Sequence, residues 1–459
     1  MGYIQYLRKT SVRGQPALIC LPSGRHYGHC ALEMLMALTF SRLTGMRLYT
    51  LQPNPVVNPA LFKLEANGID NVHCTGWRSL WFKLLWKFTE YEAFWIELCN
   101  KLAFEAHLYA QRRYLPATLI RWSKEVSLWF DVRGHQVLFR DHPGKSRQNP
   151  YTDEFASMKT AKLYLVRRNI DYPVDISLPS DVCVDVVERL AKLGVQPDTP
   201  MVTVHARESG FHSGEEMQDA NVKLLEGRRV DQRTDVVRNA KIDSYSKAID
   251  FLVNEGFAVV RLGDPLMAPY RRTGVFDLAT SSLRTAAMEL YCLWQSKFVL
   301  CGESGPYSVS YLTNTPSVLV NATDPVSGYP VRKDRLYVLK HVFDRLTGQP
   351  LRLNDMLTHR YLSKMRQLTS FQYVDNTPDD ILEVVREMVA GLRNGWVATS
   401  KQKAYREQVT ALAVALDKRE RLGGLPYVRK WGADRGFLGN GYIGASWVER
   451  YFEADYDRL

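Results

Sequence analysis

Residues 202–211 read VTVHARESGF. Val202, Thr203 and Val204 follow a Pro-Asp-Thr-Pro turn, and such a β-branched run predicts a parallel strand covered on both faces. Within a few residues the chain then places His205, Arg207, Glu208, Ser209 and Gly210. A strand built for a core thus ends in an imidazole, a guanidinium, a carboxylate and a glycine. Strands that end this way deliver their polar groups to the rim of an open sheet, where α/β proteins bind ligands.

Outward from this strand the pattern repeats. IDSYSKAIDFLVNEG predicts an amphipathic helix stopped by Gly256, and FAVVRLG a strand. SLRTAAMELYCLWQSK reads as a helix, KFVLCGESG as a strand ending in glycine, PYSVSYLTN as a helix, and PSVLVN as a final strand. Strands alternating with helices imply a parallel sheet. Near the N-terminus, residues 16–53 also read as strand, loop, helix and strand. Leu32, Leu35, Met36, Leu38 and Leu43 recur at helical spacing there. The expected fold is therefore α/β with two doubly wound, Rossmann-like domains. Residues 1–175 form the first, 176–395 the second, and 396–459 a helical extension that packs back on them.

Four strand ends converge on one chemistry. The first gives His205, Arg207 and Glu208, the second Arg261, Gly263 and Asp264, the third Glu303, Ser304 and Gly305, and the fourth Asn321. Arginine pairs two phosphate oxygens through a planar fork and keeps its proton. A Gly-Glu-Ser-Gly turn opening a helix offers backbone N–H groups and the positive end of the helix dipole. Together these predict a diphosphate site. Each residue also has a plainer reading: Arg261 pairing with Asp264, Ser304 as a helix cap, His205 as a hydrogen-bonded strand end. No Walker motif occurs, and no Gly-x-Gly-x-x-Gly follows the first strand, which disfavours P-loop and nicotinamide chemistry. These strand ends carry no Asp-x-Asp pair, so no metal is expected on the diphosphate.

Composition narrows the class. The chain has 459 residues, 46% hydrophobic and 24% charged, which is globular and long enough for two or three domains. No apolar run reaches the roughly 18 residues of a membrane span, and the first residues lack a signal-peptide core. The seven cysteines are scattered without a Cys-x-x-Cys pair, as reduced cytosolic thiols are. A cytoplasmic protein is expected. Residues 1–150 hold 19 Lys and Arg against 10 Asp and Glu, whereas the rest is near neutral, so most of the net charge of +11 belongs to the first third. Residues 77–98, with Trp77, Trp81, Phe88 and Trp95, predict a helix. Burial against the first domain is the default for it. Contact with an anionic membrane surface is the sharper alternative.

The segments VTVHARESGF, DVVRNAKIDSYSKAIDFLVNEGFAVVRLGD, VFDLATSSLRTAAMELYCLWQSKFVLCGESGPYSVSYLTNTPSVLVN and FQYVDNTPDDILEVVREMV resemble a family of bacterial glycosyltransferases, as does YGHCALEML near the N-terminus. The His-x-Arg strand end is more distantly similar to that of fucosyltransferases with the two-domain GT-B fold. The resemblance implies two domains facing across a cleft and a nucleotide-sugar donor. It also implies a glycan, glycoconjugate or lipid-linked acceptor, and transfer without a metal or other cofactor. Arg207 would contact the donor diphosphate with His205 and Glu208 in support, and Ser304 and Gly305 would bind phosphate. Pro306 and the charged insertion of about 212–235 depart from the family pattern. An inverting transfer needs a base, for which His26, His29 and Glu208 are the candidates. A nucleotide-sugar epimerase is the enzymatic alternative, and a glycan- or polyanion-binding protein the non-enzymatic one. Specific nucleic-acid binding is not expected, because the polar strand ends lie in the near-neutral part. Docking at the inner membrane face would bring the enzyme to a lipid-linked acceptor.

Overall fold

The computed structural model describes residues 17–74 and 235–421 with short interruptions, residues 173–208 and 441–453, Trp77 and Leu80, and four short strands elsewhere before residue 141. The chain divides into two compact units, Met1–Ser180 and Asp181–Leu459.

Unit 1 contains a five-stranded sheet of order β5-β3-β2-β1-β6. Its strands are β1 (Ile4–Leu7), β2 (Ala17–Cys20), β3 (Arg47–Leu51), β5 (Asn71–Cys74) and β6 (Ala117–Ile120). β2, β3 and β5 run parallel, as the strand-helix-strand pattern predicts. β1 lies antiparallel to both β2 and β6, so this sheet is mixed. The helix between β2 and β3 spans Tyr27–Thr44 and buries Leu35, Met36 and Leu38. A short pairing of β4 (Glu65–Ala66) with β9 (Ile176–Ser177) and a hairpin of β7 (Ser127–Trp129) with β8 (Leu138–Arg140) complete the described strands here. The helix expected over 77–98 and the insertion at 212–235 lie outside the described residues, save Trp77, Leu80 and Asp235.

Unit 2 is built on a seven-stranded sheet of order β12-β11-β10-β13-β14-β15-β18, parallel throughout. The strands are β10 (Met201–His205), β11 (Ala258–Arg261), β12 (Val275–Asp277), β13 (Phe298–Cys301), β14 (Ser317–Ala322), β15 (Arg335–Leu339) and β18 (Tyr442–Ile443). β10, β11, β13, β14 and β15 are buried at every residue, because helices cover both faces. Val202 and Val204 point into the core with the helices Ser246–Asn254 and Pro378–Asn394. Thr203, between them, faces the other way and donates to the Cys292 carbonyl of the Ala286–Gln295 helix at 3.0 Å.

PSVLVN is not the last strand. β15 follows it in the sheet, β16 (His341–Asp344) pairs antiparallel with β17 (Phe371–Val374), and β18 joins from near the C-terminus. Thr377 and Asp380 form a capping box on the helix Pro378–Asn394, and Gly395 at φ +84° ends it in the left-handed region. At the far end of β14 the register slips between Leu319 and Ala322, and Asn321 adopts φ +55°. Its turned-out N–H donates to Asn376 Oδ1, and the Asn376 N–H donates back to Asn321 Oδ1, both at 2.6 Å.

Candidate active site at the strand-order reversal of unit 2

From β10 the chain adds β11 and β12 on one side, then returns to place β13, β14 and β15 on the other. Crossovers on the two sides leave in opposite directions, so a crevice opens between the carboxyl ends of β10 and β13. Two of the polar strand ends read from the sequence meet there. The Gly302 N–H still donates to the His205 carbonyl at 3.3 Å, so the two strands stay together up to that point.

On the β10 side, His205 and Arg207 are 4% and 5% exposed. His205 Nδ1–H donates to the Leu262 carbonyl at 3.0 Å. Burial first, and then the Arg261 and Arg207 charges, bring its pKa down to about 4 against the pull of that bond, so the ring is neutral near pH 7.

Arg261 is held on all sides. Nη1 donates to the Ala268 carbonyl at 2.9 Å and to Asp277 Oδ2 at 3.0 Å, and Nη2 donates to Glu208 Oε1 at 3.2 Å. Asp277 Oδ2 also accepts from the Tyr270 N–H and the Thr280 hydroxyl, each at 2.9 Å. The partners of Arg261 are therefore Asp277 and Glu208. Asp264 instead accepts from the Leu266 N–H and shapes the following turn. Gly263 is a packing position, since a Cβ there would meet Met267 Sδ at 2.4 Å. Burial raises the Glu208 pKa, while Arg261 opposes the shift.

On the β13 side, Glu303 turns toward β14. Its Oε1 accepts the Thr323 N–H at 3.1 Å, and its Oε2 accepts the Thr323 hydroxyl and Arg366 Nη2, each at 2.8 Å. Burial pushes the Glu303 pKa up, but Arg366, the two Thr323 bonds and Arg238 together hold it below the ordinary value. Arg366 itself sits at φ +67°, its N–H donating to the Tyr373 hydroxyl at 2.7 Å. Ser304 is the N-cap of the helix Gly305–Leu312 and makes no side-chain cap bond; its hydroxyl is 3.4 Å from the Gly302 carbonyl. Pro306 occupies the first turn, where a missing N–H breaks no helical bond. That turn keeps the Gly305 and Tyr307 N–H groups.

A third segment reaches this crevice, the start of the DVVRNAKIDSYSKAIDFLVNEGFAVVRLGD stretch that the sequence singled out by its resemblance. Asp235–Arg238 forms a 3₁₀ turn, and Ala240 N–H donates to the Arg207 carbonyl at 2.9 Å. Arg238 Nη1 donates to the Glu303 carbonyl at 3.3 Å. Lys340, 2% exposed at the end of β15, donates to the Asn239 carbonyl at 2.6 Å and to Asp375 Oδ1.

The remaining candidates stand in unit 1. His26 directly precedes the helix Tyr27–Thr44, and His29 is exposed in its first turn, their rings edge to face at 5.3 Å. Glu33 is 7% exposed and turned inward, where it adds to the effect of burial in raising the pKa of Cys20 and Cys30. Among the described residues no group of three or more His, Cys, Asp or Glu side chains could hold a metal ion, and no helix is long and apolar enough to cross a membrane.

No family model matches the chain, and no curated protein does. Among solved structures it is similar to the dodecameric, iron-containing heptosyltransferase TibC in complex with ADP-D-β-D-heptose, at 13% identity and a TM-score of 0.36. It is also similar to TibC of enterotoxigenic E. coli H10407, at 11% identity and a TM-score of 0.37. Both matches cover 83% of this chain and 76% of TibC. A glycosyltransferase family 9 protein from Veillonella parvula matches at 11% identity and a TM-score of 0.35, over 70% of this chain and 85% of that one. Likeness at this level carries no argument about activity, which is drawn below from the residues of the chain itself.

Proposed function

We propose that unit 2 binds the diphosphate of a nucleotide sugar where its strand order reverses, and that the chain is a glycosyltransferase. What supports this reading is that β10 and β13 are parallel neighbours, so that the chain leaving β10 toward Arg207 and the chain leaving β13 into the Gly305–Leu312 helix start from the same edge of the sheet. A guanidinium and a helix N-terminus are fixed donors for phosphate oxygens. As the bond from the anomeric carbon to the diphosphate breaks, its electron pair passes to the leaving diphosphate, and such donors stabilise the growing charge without reorganising.

In this reading the acceptor hydroxyl oxygen forms the new bond to the anomeric carbon and gives its proton to a base. Glu208 is the base candidate that shares a unit with the donor residues. Arg261 fixes its carboxylate, and burial makes it more basic than an exposed one. His26 and His29 are tested by substitution in the same assay. Transfer without a metal, to a glycan or lipid-linked acceptor, completes the proposal; the basic stretch 1–150 suits an anionic membrane surface.

Thermal-shift and calorimetric titration with a panel of nucleoside diphosphates and nucleotide sugars tests the donor site. One nucleoside diphosphate should stabilise the protein, and Arg207→Ala should weaken it by roughly 10- to 100-fold, the worth of a charge-assisted bond. Release of free nucleoside diphosphate only when acceptor is present marks transfer, whereas conversion of the sugar without acceptor marks epimerisation. Binding of every polyanion with a steep salt dependence and no preference for diphosphates would sink the proposal.

A further inference from the structure

We infer that the Tyr245 hydroxyl and the Asn321 side-chain amide form a subsite at the carboxyl ends of β13 and β14 that takes one neutral hydroxyl group of the nucleotide-sugar donor. The inference rests on the donor-site reading above and adds to it a chemistry other than phosphate binding.

Asn321 is the next-to-last residue of β14, and its Oδ1 accepts the Asn376 N–H at 2.6 Å. That bond settles which end of the amide is which, so the atom left over is Nδ2, a donor. Tyr245 closes the turn Ile242–Tyr245, just before the helix Ser246–Asn254. Both residues are 0% exposed, and neither Asn321 Nδ2 nor the Tyr245 hydroxyl has a hydrogen-bond partner among the described residues. Burial first, and then Cys301, Asp375 and Glu208, push the Tyr245 pKa up, so the hydroxyl keeps its proton. Asn321 is close enough to oppose that rise, but no bond of hydrogen-bonding geometry joins the two. Two polar groups taken out of water thus carry a desolvation cost that no bond within the fold returns.

Gly302, directly after β13, shows where a guest would lie. It is not in the left-handed region, and a Cβ there would meet nothing nearer than the Tyr245 hydroxyl and the Val320 carbonyl oxygen, each at 3.7 Å. Alanine would fit, so neither backbone conformation nor packing asks for glycine at this position. A strand-end glycine of this kind suits close approach of a ligand to the backbone. Its N–H still bonds the His205 carbonyl at 3.3 Å, which keeps it at the rim between β10 and β13. The charged groups that act on Tyr245 are already paired, Glu208 with Arg261 and Asp375 with Lys340. A neutral group that both donates and accepts therefore matches this corner better than an anion does.

The test combines calorimetric melting and titration of the full chain, for wild type, Tyr245→Phe, Gly302→Ala and Arg207→Ala. The probes are uridine, guanosine, adenosine, cytidine and thymidine diphosphates, each free and as its glucose conjugate. Without ligand, Tyr245→Phe should melt at or above wild type, because it removes a buried hydroxyl that bonds nothing. It should bind the preferred probe roughly 3- to 10-fold more weakly, the worth of one neutral hydrogen bond. Gly302→Ala should fold and lose at least as much affinity, by filling the space. Loss shared by the free diphosphate assigns the hydroxyl to the nucleoside; loss confined to the glucose conjugate assigns it to the sugar. A Tyr245→Phe melting temperature more than about 2 °C below wild type would mean that the hydroxyl serves the fold through a held water, and would overturn the inference. Unchanged affinity of Tyr245→Phe for every probe would overturn it as well. If wild type binds none of the probes, the donor-site reading itself fails. If wild type binds, Arg207→Ala weakens it and Tyr245→Phe does not, that reading stands and the role of Tyr245 alone is refuted.

Discussion

Replacing Asp277 with alanine tests whether the charge network beneath Glu208 is a structural unit. One carboxylate oxygen, Oδ2, accepts three bonds, from Arg261 Nη1, the Tyr270 N–H and the Thr280 hydroxyl. The side chains of Arg261 and Asp277 are 2% and 14% exposed. Removing one partner of a buried pair costs about 3–5 kcal/mol, because the stranded charge keeps its desolvation penalty. The lower end applies here, since Glu208 still faces Arg261 Nη2. For a unit of this size each kcal/mol is worth about 2–4 °C, so Asp277→Ala should melt roughly 6–12 °C below wild type. Differential scanning calorimetry at neutral pH reads this directly. Adding Arg261→Met removes the stranded cation while keeping an apolar side chain, so the double variant should recover part of the loss. A deficit under about 1 kcal/mol for Asp277→Ala, or a double variant no better than the single one, would refute the argument that Arg261 is a sealed charge.

Two further predictions follow from the same unit. The folded pKa of His205, about 4, lies below the unfolded value near 6.5. The unfolded chain therefore takes up this proton first as pH falls, and stability drops between about pH 6.5 and 4, by about 3 kcal/mol if no other group compensates. His205→Asn should flatten that part of a denaturant-derived stability-pH curve; an unchanged slope would remove His205 as its cause. At Gly441 a Cβ would meet the Pro330 carbonyl oxygen at 2.5 Å and the Arg332 carbonyl oxygen at 2.7 Å, both backbone and unable to swing aside. Gly441→Ala should loosen the C-terminal strand and helix from unit 2, seen as faster proteolysis near 441–453. Cleavage at the wild-type rate would mean the clash is absorbed elsewhere.

The sequence made β10, β11, β13 and β14 readable because each is a compact β-branched or apolar run that flips to polar residues within a few positions. β15 was harder. RLYVL begins on an arginine after a charged stretch, and only the fold shows that Arg335 is wholly buried between hydroxyls, carbonyls and the Tyr311 ring. The two residues of β18 carry no periodicity at all. In unit 1, β1 runs directly into Arg8 and Lys9 and shows no run long enough to read as a strand, though it pairs antiparallel with both β2 and β6.

The candidate site divides along similar lines. The polar strand ends were legible one by one, but their order in the sheet was not, and the order decides that β10 and β13 flank the crevice while β11 lies one strand away. Arg261 therefore looked like a ligand-facing arginine, yet its bonds are those of a group that orients Glu208. Lys340 and Arg366 gave no signal in the sequence, because the groups their side chains bond come from 35 to 101 residues away. Arg238 lies in the segment DVVRNAKIDSYSKAIDFLVNEGFAVVRLGD, which was legible only as part of the resemblance.

The seventh strand also sets an order of events during synthesis. β15 ends at Leu339, whereas its outer neighbour is made from Tyr442 and Ile443, so roughly a hundred more residues must leave the ribosome before that ladder is closed. In the interval the nascent chain presents bare amides and carbonyls along a hydrophobic border, the kind of surface that recruits strands from neighbouring chains. The short segment 441–453 is thus the last piece of this sheet to be made, and slower translation of the stretch before it lengthens the time that border stays open.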